Sequence, residues 1–559
     1  MKIRMFMLLA GILLACHLSL SAQVLPAGPQ VVSFHSDIDD TEQPYGLYIP
    51  KNYNPKKKYP LVVMLHGAGS NHRLSLRRVF GRSNENGEND VEASRVFPPF
   101  KSVNYIVVSP LARGTMGYQG IAEKDVMDVV ADVKKRFRID EDRMYLTGLS
   151  MGGGGTMWIG LSYPDMWAAI APVCPAPPEG TLGLMPNGLN IPIRFFQGGA
   201  DPVVSPDSTR LWVKRLKDAG AQVGYDEYPG VQHDSWVNAY KDAQIFDWFA
   251  PYKRNRFPAE VRFSTATYQH NKAYWVVLDA LTPGSTAAID AHFTGKNQLD
   301  IATRGVQGFT LNLSGHSWFS ASKDLIITLN GTPITIKTTG TVSFAEKGNT
   351  WIVGFYNKNG LTKGTGIEGP MAAALSTRHV YVYGTGGNPS KEELERRRQE
   401  VLKASEWSFY RGDFLGRLQV FPRTLSDQEV RESDLQGANL VLFGTLNTNT
   451  LLTKFADALP IELQGDPKKY GLVYIFPVGA HYVLVNSGVP VWDSPDIENN
   501  ITGLSRFSTP PFLLGLKKFG DYAVYSKTEV ITHGRFDNNW KLPEMQAEKL
   551  RKSGIISLK

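Results

Sequence analysis

The chain has 559 residues, 42% of them hydrophobic and 20% charged, with a net charge of +7. That length asks for several domains around sizeable cores, and that composition excludes a chain dominated by disorder. The positive charge is spread out with no long basic run, which argues against a polyanion-binding protein and leaves no nucleic-acid partner.

Lys2 and Arg4 precede the apolar stretch Met5–Cys16, and Ser19-Leu20-Ser21-Ala22 puts small residues before Gln23. This is the pattern of a secretory signal over residues 1–22. The stretch is too short to span a bilayer, and no later segment is long enough either. Leu13-Leu14-Ala15-Cys16 also fits a lipoprotein box, which would put a lipid anchor on Cys16. Cleavage near Ala22 is preferred because apolar character continues past Cys16. Both readings predict a secreted or periplasmic protein of a bacterial envelope. Cleavage leaves Cys174 as the sole cysteine, with no intrachain disulfide. Its place in Ile170–Cys174 predicts a buried core thiol rather than a nucleophile.

Tyr45–Pro50 reads as a strand. Pro60–Leu65 is a continuous apolar run, the mark of a buried parallel strand, and it ends in His66-Gly67-Ala68-Gly69. Ser70–Ser102 is long and polar, a length typical of lids and binding loops. Arg77 and Arg78 there are expected on a solvated loop. Tyr105–Pro110 is another buried strand. Glu123–Phe137 is helical, with Val126, Val129, Val130, Val133 and Phe137 on one face. Ile139–Asp142 reads as a turn.

Met144-Tyr145-Leu146 then leads into Gly148-Leu149-Ser150-Met151-Gly152. A strand, G-x-S-x-G and a helix in succession make a nucleophile elbow, whose sharp turn lifts the Ser150 hydroxyl clear of the sheet. Gly148 and Gly152 leave the room such a turn needs, and Gly153–Gly155 let the following helix press on the sheet. The helix runs over Gly155–Tyr163, with Trp158 expected in the core. Strands follow at Ala168–Val173, Ile191–Gln197 and Val223–Tyr228, and helices at Ser208–Ala219 and Tyr240–Phe249. Alternating strands and helices predict a parallel sheet covered on both faces.

Asp201 and His233 each sit in a loop just after a predicted strand, and the order Ser, Asp, His is that of an α/β-hydrolase triad. Parallel strands end at one sheet edge, so loops far apart in sequence meet there. Ser150 is assigned as nucleophile, His233 as base and then acid, and Asp201 as the group that orients the imidazole. Asp234 is the less favoured acid, because a side chain adjacent to His233 points elsewhere. The oxyanion hole needs two N–H donors: Met151 follows the nucleophile, and Ala68 lies in the loop after the first buried strand. His66 is read as a brace for that loop. Trp236 is a candidate for the substrate cleft. Neither a metal nor a cofactor is called for.

Leu65–Gly69, Ala122–Val126, Arg143–Thr156, Tyr163–Val173, Gly199–Val204 and Gly230–Trp236 resemble secreted α/β-hydrolase esterases. The similarity is to the polyhydroxybutyrate-depolymerase and feruloyl/acetylxylan-esterase type, and also to peptidases related to prolyl oligopeptidases. It covers residues 43–250. It implies the hydrolase fold, the triad and a serine esterase acting on acyl groups of carbohydrate or other small esters. A serine peptidase is the alternative, and a non-catalytic binding protein using its C-terminal half is a third. Oligomeric state is left open.

Ala250–Pro258 reads as a linker. Residues 259–360 are expected to form an all-β module, with a hairpin at Asn330-Gly331. Residues 375–545 are expected to form a smaller α/β module, with a strand at His379–Tyr383 and a helix over Lys391–Glu406 started by Ser390. The catalytic domain is placed at 23–250. Gly384-Thr385-Gly386-Gly387 follows a strand but lacks a full dinucleotide-binding pattern.

Overall fold

The computed structural model describes residues 25–348, 350–356, 360–407, 419–495 and 510–559. The signal segment 1–22 and Cys16 lie outside them. Among the described residues no helix is long and apolar enough to cross a membrane.

The N-terminal sheet has eight strands: β1 (Gly28–Ser36), β2 (Thr41–Ile49), β3 (Tyr59–Leu65), β4 (Ile106–Pro110), β5 (Ile139–Leu149), β6 (Ala169–Val173), β7 (Ile193–Gly198) and β8 (Val223–Tyr228). Their order is β1-β2-β4-β3-β5-β6-β7-β8. From β4 to β8 the pairings are parallel, but β2 runs antiparallel to both β1 and β4. The sheet is therefore mixed, not wholly parallel. β1 escapes sequence reading because it is an edge strand, half-buried along most of its length and without clean alternation. Ile139–Asp142 proves to be the start of β5 rather than a turn, its acidic residues extending past the covered part of the sheet.

Why β3 is apolar without alternation is plain from its neighbours. Leu61, Val63 and Leu65 enter one core with Val126, Ile159 and Phe195, while Val62 and Met64 enter the opposite core with Tyr145, Phe246 and Phe249. Both faces are covered, so every position is buried.

Ser70–Ser102 packs on the sheet through its first part, with Leu74–Phe80 buried, while most of residues 82–102 are half-buried or exposed. Asn71 Oδ1 accepts from the N–H groups of Arg73 and Leu74 and starts a helix at His72–Val79. Arg77 and Arg78, expected on a solvated loop, are buried. Arg77 forks onto Glu88 at 3.1 and 2.8 Å and also donates to the carbonyls of Ser83 and Ala93. Arg78 pairs with Asp90 at 3.1 Å. Two arginines thus staple the loop shut, and acidic partners more than ten residues away carry no local periodicity to announce it. The expected helix Tyr240–Phe249 is broken, because Asp242 and Ala243 take left-handed φ values of 52° and 57°.

Two five-stranded sheets follow. One holds Glu260–Thr265, Ala287–Gly295, Gln298–Arg304, Leu325–Leu329 and Thr332–Ile336; the other holds Lys272–Ala273, Val276–Leu281, Val306–Asn312, Thr341–Lys347 and Thr350–Val353. Phe263, Ile289 and Ile327 of the first share a core with Leu278, Phe309 and Phe344 of the second, so the unit is a sandwich. Asn330 and Gly331 both have positive φ (48° and 81°), as a type I′ hairpin requires. The last sheet has seven strands: Arg423–Ser426, His379–Tyr383, Asn439–Phe443 and His481–Gly488 are parallel, then Tyr470–Val478, Tyr522–Ser526 and Val530–Gly534 alternate in direction. Its Gly384–Gly387 loop is occupied by the chain itself. Gly386 N–H donates to Thr448 O, Arg397 donates to the Gly384 and Gly386 carbonyls, and Thr385 donates to Asp427. A carboxylate at that loop opposes a phosphate.

The units are joined by buried polar contacts. Glu123 accepts from Trp158 Nε1 and Tyr163 OH in the N-terminal unit and from Gln269 Nε2 and His270 Nε2 in the sandwich. Burial would raise its pKa, but the His270 charge and these donors outweigh it and hold the carboxyl below its usual value. Trp158, expected as plain core, is one of those donors.

Glu368 faces a cavity of about 290 Å³ where the three units meet. It accepts from the backbone N–H groups of Tyr268 and Gln269. Burial pushes its pKa from 4.5 up to about 7. A carboxyl with a raised folded-state pKa favours the fold most below its unfolded pKa, and that contribution is lost as pH rises through the folded one. The wild type is therefore expected to lose thermal stability relative to Glu368→Gln between pH 4.5 and 7, with a constant gap above. The bond lost in the amide shifts the variant's curve without tilting it. Melting curves at half-unit pH steps check this; parallel curves would refute it.

Candidate active site

Ser150 sits between β5 and the helix Met151–Ser162 with φ 56° and ψ −118°. Strain of this kind survives only where the surroundings enforce it. Here a Cβ on Gly148 would lie 2.4 Å from Gly152 O, and one on Gly152 would lie 2.2 Å from Leu65 O. The turn closes on bare backbone, and Ser150 N–H is held by Val173 O at 2.9 Å.

The loops after β7 and β8 bring Asp201 and His233 to the same edge. His233 Nε2 lies 3.0 Å from Ser150 Oγ, and His233 Nδ1 lies 2.8 Å from Asp201 Oδ2. The Asp201 side chain is fully buried, and that of His233 is 21% exposed. Asp201 also accepts from the N–H groups of Val203 and Val204 and from Gln197 Nε2. Thr209 Oγ1 in turn donates to Gln197 Oε1 at 2.8 Å. These donors fix the rotation of the carboxyl group. Gln197 and Thr209 carry no motif and were invisible in the sequence. Asp234, the other acid considered, is exposed.

The helix after Ser150 begins at Met151, whose N–H is among those that open the helix. Opposite it runs His66–Gly69. A Cβ on Gly67 would lie 3.6 Å from Ser150 Cβ, so this loop passes close over Ser150, with Ala68 half-buried beside it. Gly69 N–H is engaged by Thr115 Oγ1 and Ser70 N–H by Gly67 O. His66 is fully buried with its ring nitrogens 2.8 Å from Gly67 O and Leu111 O. Burial lowers its pKa against the opposing pull of the two carbonyls, and the ring braces the loop. Tyr118 OH donates to His66 O. Leu111, Thr115 and Tyr118 lie in a segment that the sequence reading passed over; its glycines at 114, 117 and 120 were the available signal.

Trp236 stands edge-on to His233, ring centres 5.5 Å apart, and also packs on the core beneath. Cys174 is buried, and burial pushes its thiol up to about 12, so no thiolate forms at neutral pH. Among the described residues, the group of side chains close enough to share a metal is Cys174, Asp201 and His233. Two of these are the histidine–aspartate pair itself.

The Esterase family model matches residues 39–319. This chain belongs to that family. The match runs through the hydrolase sheet and into the sandwich. This chain is 27% identical over 176 residues to the bifunctional acetylxylan esterase/xylanase XynS20E of Neocallimastix patriciarum, which is 31% of this chain and 23% of that protein. The chain thus spans under a quarter of the curated relative it matches. Among solved structures, a thermostable esterase is similar at 27% identity and TM-score 0.34, over 40% of this chain and 63% of the other. A ferulic acid esterase of Anaeromyces mucronatus in the absence of substrate is similar at 18% identity and TM-score 0.31, over 41% and 94%.

Proposed function

We propose that this esterase is a serine hydrolase that cleaves carboxylic esters, acyl groups on carbohydrate or other small esters, through an acyl-enzyme. The observation that carries the reading is the relay from Ser150 Oγ to His233 Nε2 at 3.0 Å and from His233 Nδ1 to Asp201 at 2.8 Å. Asp201 accepts a hydrogen bond from Nδ1–H, which leaves the Nε2 lone pair facing the serine hydroxyl. His233 takes that proton as Oγ attacks the ester carbonyl. The oxygen of the tetrahedral intermediate meets the N–H groups of Met151 and Ala68. The imidazolium then protonates the departing alcohol, and water repeats the sequence to free the acid and restore Ser150. Trp236 borders His233 and is assigned to the cleft. Family membership and the acetylxylan esterase relative support the choice of esters on carbohydrate.

A panel of acetylated xylan, feruloylated arabinoxylan, short p-nitrophenyl esters and aminoacyl amides tests the reading. Ester turnover is expected to exceed amide turnover by several orders of magnitude. Comparable rates would make the chain a peptidase on the same relay.

A further inference from the structure

We propose that Arg113 is a positioning residue for the oxyanion hole: it locks the segment Leu111–Gly120 to the C-terminal unit and so holds the His66–Gly69 loop over Ser150. The proposal rests on the reading of Ser150 as nucleophile and Ala68 as oxyanion donor.

Arg113 is fully buried, and it is an unusual place for a guanidinium. The backbone under it is strained. Ala112 and Arg113 have φ of 46° and 64° in succession. Such a backbone persists only when its surroundings over-determine it. The surroundings here are complete. Nε donates to Asp125 Oδ2 at 2.7 Å. Nη1 donates to Asp39 Oδ2 at 2.6 Å and to Gln419 O at 3.1 Å. Nη2 donates to Ser36 Oγ at 2.6 Å and to Asp125 Oδ1 at 3.4 Å. The fork spends its whole set of donors on partners from three separate segments, Ser36–Asp39, Asp125 and Gln419. A lysine has no such planar set.

One of those ties reaches the C-terminal unit. Gln419 donates its N–H to Arg113 O as its carbonyl accepts from Nη1. Phe421 N–H donates to the same Asp39 oxygen that Arg113 holds. Beside them Arg378 forks onto Asp40 at 2.6 and 2.7 Å, and Ile38 is buried in the core of the C-terminal unit. Arg113 is therefore where that unit meets the hydrolase unit.

The segment's other side holds the oxyanion loop. Leu111 O faces His66 Nε2, Thr115 Oγ1 accepts from Gly69 N–H, and Tyr118 OH donates to His66 O. These contacts flank Ala68 on both sides. Leu111 and Thr115 are each two residues from Arg113, so a shift of the arginine is passed to both. The C-terminal unit then acts on rate without touching substrate. A donor aimed at a developing oxyanion tolerates little displacement, since losing one outright costs about 10²–10³ in kcat.

The test compares wild type with Arg113→Lys and Thr115→Val in the full-length chain, using a short p-nitrophenyl ester and an arylboronic acid whose tetrahedral adduct on Ser150 puts an oxygen in the hole. Arg113→Lys is expected to lower kcat about 10- to 100-fold with KM within about threefold, and to weaken boronate inhibition by the same factor. Thr115→Val, which leaves the buried charges intact, is expected to show the same paired loss at about 3- to 10-fold, and it serves if the lysine variant does not fold. The idea is overturned if either folded variant keeps the wild-type kcat and boronate affinity, whatever happens to its melting temperature. It also falls if kcat drops while boronate affinity holds. A wild type inactive on all esters would instead sink the proposed function.

Discussion

Ser150→Ala is expected to lower kcat on a short p-nitrophenyl ester by about 10⁵-fold or more, with the melting temperature unchanged. The hydroxyl lies at the sheet edge with one catalytic contact, to His233 Nε2, so its loss leaves no cavity of consequence. Asp201→Asn should cost about 10⁴. The reason is the set of donors around Asp201. Val203 and Val204 N–H both point at Oδ1, which pins the amide oxygen there and turns the amide NH₂ toward His233 Nδ1. The imidazole must then accept at Nδ1 and carry its proton on Nε2, where it cannot take the serine proton. Because the three groups act as a unit, the double variant should be no slower than Ser150→Ala alone. Asp234→Asn should leave the rate within about twofold of wild type. Hydrolysis by Ser150→Ala near the wild-type rate, or a larger loss from Asp234→Asn than from Asp201→Asn, would remove the relay from the account.

The second large effect is on folding. Gly154→Ala should destabilise the protein by about 3 kcal/mol or more, as overpacking against unyielding backbone does. An added Cβ would meet Ala176 O at 1.9 Å, its carbonyl carbon at 2.4 Å and Pro177 N at 2.9 Å. Those are main-chain atoms of the loop leaving β6, and no side-chain rotation relieves them. Gly437→Ala is the control, since nothing lies within 4 Å of its added Cβ. Thermal denaturation should show the first melting roughly 6–12 °C lower and the second unchanged. A stable Gly154→Ala would mean that the elbow helix can slide off the sheet.

How far the chain could be read before folding depended on where each residue's partners lie. β3 was legible because burial on both faces leaves an unbroken apolar run. Ser150, Asp201 and His233 were legible because each terminates a predicted strand, and strand ends of a parallel sheet converge. Arg77 was misjudged because its partner Glu88 comes from a loop with no period to follow. Antiparallel β1 was missed because an edge strand needs little apolar surface. Thr341–Lys347 was missed because only its middle, Val342–Ala345, is buried, while Thr341, Glu346 and Lys347 at its ends are exposed.

What the sequence determined by itself was the set of chemically able residues and the order in which strands would present them. Local rules suffice for that: apolar runs, turn residues, a serine between glycines. Tertiary structure alone decided the support behind them. Gln197 and Thr209 behind Asp201, Thr115 behind Gly69, and Arg113 between the first and last units are ordinary polar residues until the fold removes water around them. Each then has to find its partners inside the protein, and those partners come from segments that only the finished fold brings within 3 Å.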